Sequence, residues 1–247
     1  MWCSYPQLNF RSTLGVKGSR ITTLLPLISS VLTHSKLNKI FDSHWGAKPS
    51  VGVGNKKGIM KKIFYFDVET TGLDCIKNDI IQLAGIIEID GEIKEEIEFK
   101  CQPTSYENIS QEALNVHGFN LDTIKGFPDH KECYDYLLTI FDKYINKYDK
   151  QDKFIPAGYN VNFDVGFLFE YFKKHGNPYC GAYLDYHKLD PMPVLLMLDL
   201  KGTLKLKGFK LTEVCDQLGI KLDKAHDALS DIRSTRELCK KILEYLK

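Results

Sequence analysis

No Cys-x-x-Cys pair occurs in this chain, whose seven cysteines (Cys3, Cys75, Cys101, Cys133, Cys180, Cys215 and Cys239) are odd in number and widely scattered. That spacing excludes the usual structural zinc site. Reduced thiols in an intracellular protein, with a cytoplasmic location, are the simpler expectation. No apolar run approaches the roughly 18–20 residues needed to span a bilayer, so no membrane partner is expected. An excess of one charge is also missing, the net value being +1 over 247 residues. Acids, however, are almost absent from residues 1–59, where eight basic residues face only Asp42 for a net +7, leaving −6 for the remainder. A net-acidic body argues against long, non-specific wrapping of nucleic acid.

Residues 1–59 show no sustained helical or strand period. The apolar stretch Ile21–Leu32 follows Lys17 and Arg20 as in a signal peptide, but the long n-region and the lack of a small-x-small cleavage site argue against one. A basic, acid-poor, Ser-containing leader also fits an organellar transit peptide, which would move the location to an organelle. The preferred expectation is that Met60 is the natural start, because a strand begins directly after it. Residues 1–59 are therefore expected to be disordered or not natively translated, with residues 60–247 as the domain. The 43% hydrophobic and 12% aromatic content of the whole chain suits one ordinary core plus some extra chain.

Within the domain, Ile63–Val68 reads as a buried strand. Asp79–Ile89 and Glu92–Cys101 read as two strands joined at Asp90-Gly91, a strong hairpin signal. Ser110–Val116 is predicted as a short helix capped by Ser110. His130–Tyr148 is long and amphipathic, with Cys133, Tyr134, Leu137, Leu138, Phe141 and Ile145 on one stripe. Lys153–Ala157 is a core strand, and Val161–His175 a helix ended by Gly176-Asn177-Pro178. Tyr186–Leu189 is expected as the last strand. Helices follow at Val194–Leu200, at Phe209–Leu218 closed by Gly219, and at Ala228–Leu246 with Asp227 as cap. A hairpin followed by alternating helices and strands gives an α/β sandwich with a mixed sheet.

Three segments carry the chemistry. In Phe64-Tyr-Phe-Asp-Val-Glu-Thr-Thr-Gly-Leu-Asp74, strand alternation puts Asp67 and Glu69 on one face. In Gly158-Tyr-Asn-Val-Asn-Phe-Asp164, Asp164 falls in the first turn of a helix, where the dipole favours its charge. In His226-Asp-Ala-Leu-Ser-Asp231, His226 precedes a helix that carries Asp231. Crowded carboxylates repel one another, and hard divalent metal relieves them. An imidazole with a pKa near 6.5 can take a proton from activated water. Asn160 is either a helix cap or a substrate contact, and Leu73 either an exposed wedge or part of the core. Phe163, Phe167 and His117 read as structural. Lys201, Lys205, Lys207 and Lys210 form a basic cluster that either guides a phosphate backbone or is simply solvated. Asp190 followed by Pro191-Met192-Pro193 reads as an irregular helix start.

From about Lys61 to Lys247 these segments resemble the DEDDh 3′–5′ exonucleases, above all the proofreading epsilon subunit of bacterial DNA polymerase III and its stand-alone relatives. Asn108-Ile-Ser-Gln-Glu-Ala-Leu-Asn-Val-His-Gly118 matches a linking segment of that branch. The resemblance implies a ribonuclease H-like fold with a mixed five-stranded sheet and helices on both faces. It implies two Mg2+ ions, replaceable by Mn2+, held by Asp67, Glu69, Asp164 and Asp231, with His226 as the base. Thr70, Thr71, Gly72 and Leu73 would hold the 3′-terminal nucleotide, with Asn160 beside the substrate backbone. The implied partner is a nucleic acid 3′ end, single-stranded or frayed DNA favoured and RNA possible, the products being nucleoside 5′-monophosphates. A DNA polymerase is a further possible partner, although no long docking tail follows Lys247, which leaves an independent enzyme equally open.

Overall fold

The computed structural model describes residues 61–221 and 227–246. The expected extension, the start at Met60 and the histidine at position 226 therefore lie outside the described residues. Strand β1 (Lys62–Thr70) pairs antiparallel with β2 (Ile80–Ile89), which pairs antiparallel with β3 (Glu92–Lys100). The turn between β2 and β3 takes positive φ at both central residues, 52° at Asp90 and 86° at Gly91. That matches the right-handed twist of the hairpin and explains why the dipeptide was readable. Strand β4 (Ile155–Ala157) lies parallel to β1 on its other side, giving the order β3-β2-β1-β4.

The sheet has four strands among the described residues rather than the expected five. In place of a last strand at Tyr186–Leu189 there are two isolated bridges, Phe154 to Leu184 and Ala157 to Leu189. The Phe154 N–H bonds to Tyr183 O and the Gly158 N–H to Leu189 O, but the residue between them is Pro156, which has no N–H to give. Residues 186–188 leave the ladder there and are exposed.

Helices α1 (Gln111–His117), α2 (Leu121–Lys125), α3 (His130–Tyr144) and α4 (Asn162–Lys174) precede α5 (Pro191–Leu200), α6 (Leu211–Leu218) and α7 (Ala228–Tyr245). Ser110 caps α1 through Ala113 N–H, and Gly219 closes α6 with φ 68°, both as expected. The five-residue α2 is too short to show a period and had no counterpart in the sequence reading. Helix α3 stops at Tyr144, four residues before the expected end. The Asn146 N–H turns to the Asp152 carboxylate, 2.9 Å away, and Lys62 Nζ covers the Tyr144 carbonyl at 2.6 Å. One partner comes from the loop just beyond the helix and the other from β1, so the stripe alone could not place this end.

Two layers of helix enclose the sheet. On one face Phe64, Phe66 and Val68 of β1 pack with Leu137 and Phe141 of α3 and Leu168 and Phe172 of α4. On the other, Tyr65, Ala84 and Ile86 meet Ala228, Ile232 and Cys239 of α7. Helices α5 and α6 join that second layer through Leu195, Leu198, Val214 and Leu238.

Candidate active site

The two-residue period of β1 decides which carboxylates face α7. Phe64, Phe66 and Val68 fill the α3/α4 core, so Asp67 and Glu69 share the side of Tyr65, beneath the first turn of α7. They stand at the carboxyl end of β1, opposite Ala84 and Gln82. Helix α7 is capped by Asp227, whose side chain accepts the Ser230 N–H at 3.2 Å, and this cap sets Asp231 in the first turn. Loss of such a cap costs about 1 kcal/mol.

Asp164 arrives from the other layer, in the first turn of α4, and is 3% exposed. The last β1 residue paired with β4 is Tyr65. Past that point the Val68 N–H donates to Asp164 Oδ1 at 3.1 Å, which ties the carboxylate to the strand bearing Asp67 and Glu69. Gly158 permits the approach, since a Cβ there would stand 2.9 Å from the Phe66 carbonyl oxygen.

The four acids feel one another. Burial raises the Asp67 pKa well above its ordinary value, and the charges of Asp164, Glu69 and Asp231 raise it further. Glu69 is pushed up to about 7 by burial, then by Asp231 and Asp227. Asp164 also reaches about 7, burial outweighing the N–H bonds from Val68 and its own backbone. Among the described residues no lysine or arginine lowers any of these three. Nor, among the described residues, is any group of three or more His, Cys, Asp or Glu side chains drawn around one point as ligands would be. An all-oxygen, mutually repelling donor set fits a hard divalent cation, Mg2+, Mn2+ or Ca2+, and not a soft one.

The loop after β1 is tightly stapled. Thr70 Oγ1 donates to Gly72 O at 2.7 Å, and Thr71 Oγ1 accepts the Asp79 N–H at 2.9 Å. Both threonines are buried. The room beside Gly72 is taken by Asn78, whose Oδ1 would lie 2.5 Å from an added Cβ, so the glycine serves close packing within the protein. Leu73 is 78% exposed, which answers the question left open for it: the side chain is not folded into the core.

Asn160 is not the cap of α4. Val161 occupies that position without a side-chain bond, while Asn160 takes a left-handed φ of 58° and gives its N–H to Asp190 Oδ1 at 3.2 Å. The same oxygen accepts the Met192 N–H at 3.0 Å. Asp190 is thus the cap of a regular α5 with Pro191 in its first turn, where a missing N–H costs nothing, and not an irregular start. The Asp-Pro pair carried that signal. His117 is structural, its Nδ1 accepting the Phe119 N–H at 3.1 Å, and Phe167 lies in the core with Phe163 against it.

The family described as Exonuclease (RNase_T) matches residues 64–239, a span holding all four carboxylates. The chain is 28% identical over 180 residues to the DNA polymerase III PolC-type of Pediococcus pentosaceus, covering 72% of this chain and 11% of that one. It is 31% identical over 175 residues to the PolC-type polymerase of Halalkalibacterium halodurans, covering 70% and 11%. The chain thus spans about a tenth of the length of these curated relatives. Among solved structures, E. coli Exonuclease I in complex with a dA16 oligonucleotide superposes with a TM-score of 0.60 at 19% identity, over 74% of this chain and 41% of that one. That likeness establishes the shared fold. No helix among the described residues is long and apolar enough to cross a membrane.

Proposed function

Because this chain belongs to the RNase_T exonuclease family, in its DEDDh-type 3′–5′ branch, we propose that it shortens single-stranded or frayed DNA from the 3′ end, releasing nucleoside 5′-monophosphates. The observation that carries the reading is the convergence of Asp67, Glu69, Asp164 and Asp231 at the carboxyl ends of β1 and β4, where burial and mutual repulsion raise three of them. Asp67, Glu69 and Asp231 would hold one divalent ion, and Asp67 with Asp164 a second, Mg2+ in the cell with Mn2+ able to replace it. Such a pair, when bound, stabilises charge on the attacking and departing oxygens of an in-line displacement and makes water more acidic.

The chain's own residues do the rest. His226, which directly precedes the α7 cap, takes the proton from the attacking water. Asp164, locked to the Val68 N–H, keeps α4 and β1 in fixed register on the leaving-group side. The stapled Thr70–Gly72 turn offers a rigid backbone to the 3′-terminal nucleotide, and exposed Leu73 lies against its base. Asn160 borders the path of the strand. DNA is favoured over RNA because the linking segment at Asn108–Gly118 is of the epsilon kind and the PolC-type relatives are DNA polymerases by name. A DNA polymerase is accordingly the partner protein we propose.

The test uses matched 5′-labelled DNA and RNA oligonucleotides, in Mg2+, in Mn2+ and in chelator, with Asp67→Ala alongside. A metal-dependent ladder shortening from the 3′ end, faster on DNA and absent in the variant, is expected. Faster trimming of RNA would transfer the reading to RNA ends, and cleavage by Asp67→Ala would refute the site.

A further inference from the structure

The surface lysines of this domain are mostly paired. Lys131 meets Asp135 at 2.5 Å, Lys143 meets Glu95 at 2.7 Å and Lys147 meets Asp142 at 3.0 Å. The stretch between α5 and α6 breaks that habit. Lys201, Lys205, Lys207 and Lys210 are all exposed, and among the described residues none makes an ion pair. The acids closest in sequence are engaged with the backbone instead. Asp199 Oδ1 accepts the Leu206 N–H at 2.8 Å, and Glu213 Oε2 accepts the Lys210 N–H at 3.4 Å. Unneutralised positive charge is thus concentrated within ten residues of a body whose sequence is net acidic.

The stretch is fixed in place. Leu204 is buried and Leu206 partly buried against the core shared by α5, α6 and α7, while Lys205 and Lys207 alternate with them and face solvent. Gln217 of α6 clasps the extended backbone from both sides, donating to Lys205 O at 2.6 Å and accepting from Lys207 N–H at 3.1 Å. Helices α5 and α6 pack on α7, which carries Asp231, so the lysines belong to the helical layer that covers Asp67 and Glu69. A second link runs through Tyr159, whose hydroxyl donates to the Phe209 carbonyl. Tyr159 sits in the turn between β4 and α4 that leads to Asp164.

Resting on the proposed function above, we infer that Lys205, Lys207 and Lys210 form a rail for the backbone phosphates of the single DNA strand whose 3′ end enters the carboxylate site. The rail is sequence-independent, because phosphate contacts fix register without reading bases. It supplies a local positive potential that the acidic body lacks, and attracts the strand towards a site lined with carboxylates. Each phosphate neutralised adds about 0.7 to the slope of log affinity against log salt for a single strand.

The experiment compares the full chain with the triple variant Lys205→Ala, Lys207→Ala, Lys210→Ala on two substrates. One is a long 5′-labelled single-stranded DNA. The other is thymidine 5′-p-nitrophenyl phosphate, which reaches only the terminal site. The expected result is a KM for the long strand raised about tenfold, with a salt slope smaller by about 2 and kcat little changed. Turnover of the small ester should hold, and the triple Lys→Arg variant should restore both KM and slope. Unchanged KM and slope in the alanine variant would overturn the rail while leaving the exonuclease reading intact. Equal losses on the ester and the long strand would place the stretch in folding, and also overturn it. A wild-type chain inactive on both substrates would sink the exonuclease reading and the rail together.

Discussion

Adjacent strands of one sheet treat their inward-facing acids in opposite ways. On β2, Glu88 is buried with Arg236 of α7 at 2.6 Å, and Asp79 just before the strand is buried with Lys174 at 2.6 Å. For Asp79 burial works to raise the pKa, but hydrogen bonds from Lys174 and Thr104 prevail and hold it below the ordinary value. On β1, one strand away, Asp67 and Glu69 have acids for neighbours and their pKa values rise. The fold can place a cation beside a buried carboxylate and does so at structural positions. Among the described residues no lysine or arginine does so around Asp67, Glu69 and Asp164, and buried charge left to be met from outside is the electrostatic signature of a functional site.

Breaking each half of the comparison should give opposite results. Asp67→Asn should reduce turnover roughly 10³-fold, the scale for losing a group that acts on the transition state, without loss of stability in chelator. A kinetic assay beside a thermal melt reads both. Removing Arg236 as Arg236→Met should cost about 3 kcal/mol in denaturant titration, because Glu88 is left buried and alone, while kcat of the folded protein changes little. The double variant Glu88→Gln, Arg236→Met should recover much of that loss.

The two halves also carry opposite pH signs. Glu69 and Asp164 keep protons up to about 7 when folded, whereas the ordinary carboxylate values of 4.5 and 3.8 release them earlier. The native state therefore binds more protons between those limits, and in chelator its stability should fall as pH rises through that window. Asp79 acts the other way, contributing stability above its unfolded value that is lost as acid protonates the folded carboxylate. Saturating Mg2+ should flatten the neutral decline, and denaturant titrations across pH would show it. The smallest effect is expected from Asp190→Ala, which removes the α5 cap and the acceptor for Asn160 N–H. About 1 kcal/mol of stability should go, with a modest drop in kcat as the turn leading to Asp164 loosens.

Much of this site was legible because its geometry is local. Alternation alone puts Asp67 beside Glu69, and a capping aspartate one residue after His226 fixes where α7 starts and so where Asp231 sits. What escaped depends on tertiary partners that no local pattern reveals. Helix α3 ends early because Asp152 and Lys62 claim its exit, and the fifth strand dwindles because Pro156 cannot donate one rung. Asn160 looked like a cap, but its left-handed conformation is held by Asp190, thirty residues on. That position 72 must be glycine for packing depends on Asn78, whose Oδ1 would lie 2.5 Å from an added Cβ.

Thermal unfolding of wild type and Asp67→Asn, in chelator and in Mg2+ at about pH 8, tests the central claim most directly. Wild type should melt below the variant in chelator, relieved repulsion favouring the asparagine, and Mg2+ should raise wild type more than the variant. A wild type that melts above Asp67→Asn in chelator and ignores Mg2+ would mean that the carboxylates are satisfied within the protein, and the metal-dependent site would be contradicted.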